Sequence, residues 1–170
     1  MFQKMKDQIQ AVIKTRLGGY DYQVYGFACT PFGQEIPILV TEVPFVAFGN
    51  PKPVRPNAAL GRTHSNDYLI FLSPALAGMG DGPIRALIAH ELGHHHHGHL
   101  ANRGFLRTLM VEVARHVRTD KNEVEADTYA ASIYPDYWLA MDQIAERAPR
   151  AARLELARRR KVADNRRRNG

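Results

Sequence analysis

The chain has 170 residues, 45% of them hydrophobic and 24% charged, with a formal net charge of +6 and a single cysteine. That length and apolar content fit one soluble globular domain, and no apolar run approaches the roughly 20 residues that cross a bilayer. There is no glycine-rich phosphate loop, no paired-cysteine zinc ribbon and no internal repeat, which excludes nucleotide-driven and finger-type chemistry.

Taken in order, residues 2–17 place Phe2, Met5, Ile9, Val12, Ile13 and Leu17 at helical spacing before Gly18-Gly19, which predicts an amphipathic helix. Residues 36–48 mix β-branched and apolar residues with Pro37 and Pro44, so short strands at a sheet edge are expected there, followed by a loop through Pro51, Pro53 and Pro56. Tyr68-Leu69-Ile70-Phe71-Leu72 reads as a further strand. An exposed edge at Leu69, Ile70 and Phe71 would pair with an extended peptide, making them the expected substrate strand.

From Pro83 to His94 the pattern is helical, with Pro83 in the first turn and Ile84, Leu87, Ile88 and Leu92 as its buried stripe. Residues 102–118 form a connecting helix with Phe105, Leu109 and Val113 inward, and residues 120–132 form another in which small Ala126, Ala130 and Ala131 permit close packing against Gly93. The C-terminus is different. Residues 147–170 carry ten Lys/Arg against Glu155 and Asp164, a local net of +8 that leaves −2 for residues 1–146. The domain is therefore expected to span 1–157, with 158–170 a basic, flexible tail able to touch nucleic acid or an anionic membrane through phosphates.

The chemistry concentrates in His90-Glu91-Leu92-Gly93-His94. Residues four apart stack on one helix face, so His90 and His94 aim two imidazoles at one metal with Glu91 beside them as general base. A catalytic Zn2+ takes three protein ligands and keeps a fourth position open. Glu123 and Asp127 are also four apart. Glu123 is assigned as the third ligand and Asp127 as the acceptor of a ligand histidine N–H, fixing its tautomer.

His95, His96 and His97 suit the negative end of the helix dipole. His97, seven residues after His90, is a rival ligand, and His95 with His99 is a pair that can hold an accessory cation.

The segments Pro56-Asn57-Ala58-Ala59-Leu60-Gly61, Tyr68 to Ser73, Ile88 to His94, Gly98-His99-Leu100 and Asn122 to Ala130 together resemble the gluzincin family of zinc CAAX prenyl proteases and HtpX-like heat-shock proteases. The resemblance implies an α+β fold, mostly helical and zincin-like, with a small edge-exposed sheet beside the metal helix, and it implies Glu123 as ligand. Two departures stand out: the membrane helices of well-known relatives are absent, and Ala148-Pro149 replaces the family's His-Pro, which is followed there by an arginine. Arg150 and Arg153 are candidates for that arginine, Tyr129, Tyr134 and Tyr137 are candidates by residue type, and the oxyanion-stabilising group is unassigned.

The resulting expectation is a zinc metalloendopeptidase cleaving unfolded or flexible protein segments. Cys29 alone forms no internal disulfide and the N-terminus lacks an apolar signal core, which points to the cytoplasm. The competing classes are a catalytically silent metal-binding or interaction domain, a basic nucleic-acid-associated protein with a structural metal, and a peptidase directed at one regulatory protein. Glu91 favours the enzymes, because a structural metal needs no general base beside it.

Overall fold

The computed structural model describes residues 22–41, 58–62, 68–76, 78–99, 121–148 and 150–169. The helices expected over 2–17 and 102–118, the loop through Pro51, Pro53 and Pro56, and residues 42–48 lie outside them. The chain divides into two compact units, residues 1–77 and 78–170.

The first unit is a mixed four-stranded sheet in the order β1-β2-β4-β3, with β1 Gln23–Cys29, β2 Glu35–Val40, β3 Ala58–Arg62 and β4 Tyr68–Leu72. β1 and β2 form an antiparallel hairpin closed by the Thr30 N–H donating to the Gln34 carbonyl at 2.9 Å; β2 and β4 run parallel, and β3 and β4 antiparallel. The core of this unit is Ile36, Ile38, Leu39, Leu69, Ile70, Leu72 and Leu76, all nearly or fully buried.

Two strand expectations are corrected here. β2 is interior, not an edge. Its Pro37 faces Phe27 on β1, and pairing with β4 begins only at Ile38, so the missing proline N–H interrupts no bond to β4. β4 is interior as well. Ile70 lies between Ile38 and Leu60, and Phe71 between Leu39 and Ala59. Ile70 and Phe71 therefore have neighbours on both sides, Leu69 pairs with Gly61 on β3, and a strand lying between β2 and β3 is not an edge open to a peptide. Their continuous apolar run is the pattern of a strand buried in mid-sheet. Among the described strands, the sheet edges are β1 and β3.

The second unit is helical: α1 Asp81–His96, α2 Lys121–Ile133, α3 Tyr137–Glu146 and α4 Arg150–Asn169. Pro83 falls in the first turn of α1, where the N–H groups have no partner within the helix. α2 packs on α1 and on α4. Its buried Val124, Ala126, Asp127, Ala130 and Ala131 recur at helical spacing. Gly93 is the point of closest approach, since a Cβ there would lie 2.6 Å from the Ala126 carbonyl oxygen. The chain is thus α+β, with the described α-helices in the second unit, and no described helix is long and apolar enough to cross a membrane.

The segment expected as a basic tail, 158–170, lies within α4 up to Asn169. α4 runs without interruption through residues 158–169, because Leu156 and Ala163 are buried and Arg159 lies on the same stripe between them. Arg160 reaches Asp142 at 3.1 Å and lies over the Trp138 ring, and Arg166 approaches Glu125 at 3.9 Å.

Candidate metal centre

α1 and α2 cross at Gly93 and Ala126, which brings the α1 histidines opposite the α2 carboxylates. His90 Nε2 lies 3.1 Å from His94 Nε2 and 3.2 Å from Glu123 Oε2, and His94 Nε2 lies 3.4 Å from Glu123 Oε1. The three residues offer ligand atoms all within 4.8 Å of one another. Around a tetrahedral zinc with bonds of about 2.0–2.1 Å, neighbouring ligand atoms sit roughly 3.3–3.4 Å apart. The observed spacings match that size, so these residues fit the ion. His90, Glu91 and His94 are 6%, 6% and 8% exposed.

Asp127, fully buried, organises the next layer. His90 Nδ1–H donates to its Oδ1 at 2.8 Å, and the Tyr137 hydroxyl donates to the same oxygen. Arg159 donates through Nε to Oδ2 at 2.7 Å and through Nη2 to Oδ1 at 2.6 Å, while its Nη1 stands 3.1 Å from Glu123 Oε2. One guanidinium from α4 thus spans a prospective ligand and the carboxylate that orients another.

The electrostatics follow from this packing. Burial opposes charge on His90, but hydrogen bonds to Asp127 and Glu123 outweigh it and raise its pKa to about 10. Burial likewise opposes ionisation of Asp127, yet His90 and Arg159 lower its pKa to about 2. Glu123 is held well below the usual carboxylate range by His90, His94 and Arg159 against the same opposition. Burial, with the Asp127 charge, pushes Tyr137 up, so it stays a donor. The pocket favours a positive charge where His90, His94 and Glu123 meet, as a cation site must.

The structure brings His90, His94, Glu123 and Asp127 together. His97 is not with them. It is exposed and stacks on His99 with centroids 5.4 Å apart. His99 turns back to His94 and Glu125 rather than toward His95. Of the tyrosines considered, Tyr137 is on Asp127 and Tyr129 stacks on His96. Arg150 and Arg153 are exposed, whereas Arg159, in a run whose composition reads as a solvated tail, enters the site.

The model of peptidase family M48 matches residues 40–148, well over half of the chain. The chain belongs to peptidase family M48. As an M48 member it is a metallopeptidase, and the matched span holds His90, His94, Glu123 and Asp127 but ends before Arg159. No curated protein and no solved structure matches the chain.

Proposed function

We propose that this M48 chain is a zinc-dependent metalloendopeptidase that hydrolyses peptide bonds in unfolded or flexible protein segments. The observation that carries this reading is the convergence of His90, His94 and Glu123 within 4.8 Å, with buried Glu91 next to His90 in the chain. His90, His94 and Glu123 would hold the ion. Zinc, when bound, supplies a Lewis acid that polarises a carbonyl and makes a water acidic near neutral pH.

The remaining work falls to side chains. Glu91 accepts the proton of the attacking water and returns it to the departing amine, acting as base and then acid. Asp127 holds His90 by Nδ1–H, so that Nε2 presents its lone pair to the ion, and Tyr137 and Arg159 hold Asp127. Because the ligand histidines and Glu91 are nearly buried, a scissile bond must be presented on a segment free to leave its own fold; this supports flexible substrates over compact ones. The compartment proposed is the cytoplasm, on the strength of a lone cysteine.

The test is Glu91→Gln. It removes the base while leaving His90, His94 and Glu123 intact, so zinc content and the thermal melt should be unchanged while peptide hydrolysis falls by about 10²–10⁴-fold. Wild-type turnover by that variant would refute the assignment.

A further inference from the structure

We infer that His99 and Glu125 act as a positioning relay that keeps the proton of His94 on Nδ1 and so leaves its Nε2 lone pair to the metal; this rests on the metal reading proposed above. The relay is built by the way α1 ends. The Gly98 N–H donates to the His95 carbonyl and the His99 N–H to the His94 carbonyl, each at 3.0 Å, with Gly98 at φ 65°. This is a Schellman ending, which needs a left-handed residue at Gly98 and sets His94 and His99 side by side at the pair of positions that usually share an apolar contact. Here the contact is polar. His94 Nδ1 and His99 Nδ1 lie 2.8 Å apart, so one must donate and the other accept.

The far end of the chain of bonds decides which. His99 Nε2 lies 3.2 Å from Glu125 Oε2. An ionised carboxylate only accepts, so His99 Nε2 carries the proton. A neutral imidazole protonated there has its lone pair on Nδ1, and His94 Nδ1–H therefore donates into it. His94 Nε2 is left bare, facing His90 Nε2 at 3.1 Å and Glu123 Oε1 at 3.4 Å. Glu125 is steadied in turn by Lys121 Nζ at 3.5 Å. The two ligand imidazoles are thus oriented by different means: His90 by a carboxylate directly, His94 by a carboxylate acting through a second imidazole.

The experiment uses the full chain loaded with zinc alone, comparing wild type with His99→Leu, His99→Asn and Glu125→Leu. Zinc affinity is read by chelator competition, and the histidine tautomers by ¹⁵N chemical shifts. His99→Leu should weaken zinc binding by about 10- to 100-fold. His99→Asn, whose side-chain carbonyl can accept where Nδ1 did, should restore most of that loss, which filling space alone does not do. Glu125→Leu should weaken zinc binding and scramble the His99 tautomer with the fold intact by circular dichroism.

Three results would overturn the relay: zinc affinity in folded His99→Leu equal to wild type, a proton on His94 Nε2, or protons on both His99 nitrogens. If His99→Leu does not fold, unchanged affinity and tautomers in Glu125→Leu overturn it equally. A wild-type chain that takes up no zinc fails the metal reading and carries the relay down with it. Uptake that is equal in all four proteins fails the relay alone.

Discussion

Gly93 meets Ala126 backbone to backbone: a Cβ on Gly93 would lie 2.7 Å from the Ala126 Cα and 2.6 Å from its carbonyl oxygen. Neither atom can step aside without moving α2, the helix that carries Glu123 and Asp127. Gly93→Ala should therefore destabilise the protein by about 3 kcal/mol, the upper end for overpacking. It should also reduce zinc affinity, because the helices separate where the ligands face each other. Thermal melts and zinc titration measure both effects, and a melt and an affinity equal to wild type would show that the crossing is looser than described.

The ligand set is checked by zinc stoichiometry. Glu123→Ala removes a carboxylate lying 3.2 Å and 3.4 Å from the two histidine Nε2 atoms and should abolish tight binding. His97→Ala changes an exposed ring and should keep one zinc per chain. The reverse ordering would move the third ligand to His97.

Arg159 gives a stability prediction. It donates twice to fully buried Asp127, and breaking a buried pair by removing one partner typically costs about 3–5 kcal/mol. Arg159→Met should unfold in denaturant at correspondingly lower concentration, and zinc should bind more weakly as Asp127 and Glu123 lose their shared clamp. A loss under about 1 kcal/mol, the range of surface pairs, would mean that the guanidinium is not engaged in solution.

These two helices also show how far the sequence could be read. The juxtaposition of His90 with His94 and of Glu123 with Asp127 is legible because a four-residue spacing on a helix fixes a shared face whatever the rest of the fold does. The Gly93 contact was legible from small residues on both helices. Arg159 was not, because it sits between Arg158 and Arg160 in a run whose composition reads as solvated. The available signal was the spacing Leu156, Arg159, Ala163, which puts one arginine on an apolar stripe. The interior position of β4 is not legible, because Tyr68 to Leu72 says how apolar the strand is, and only its pairing with β2 and β3 says which sides are covered.

With metal stripped by chelator, stability should depend on pH at both ends. Asp127 has a folded pKa lowered to about 2, so its contribution is complete above the unfolded value near 4 and disappears as pH falls through 2. The amount is on the order of 2 kcal/mol. His90 is the opposite case, raised to about 10, so its contribution is complete below about 6.5 and disappears as pH rises through 10. Urea denaturation across pH reads both edges. Asp127→Asn should flatten the acid edge, and an acid edge that persists unchanged would assign it to other carboxylates.

The partners of His90 and Asp127 have a bearing on the order of events during folding. His90 and Asp127 are 37 residues apart in the chain, His90 and Tyr137 are 47 apart, and Asp127 and Arg159 are 32 apart. None of these contacts can form within a single helix or a local hairpin, and long loops must close before any of them is made. Until then His90 and His94 are a bare pair of imidazoles on one helix, a weak and unselective chelator. Glu123, the proposed third ligand, arrives with the helix packing together with the buried Asp127 carboxylate and the Arg159 guanidinium, so tight metal capture at the proposed site would belong to the last stage of folding and would not template the first.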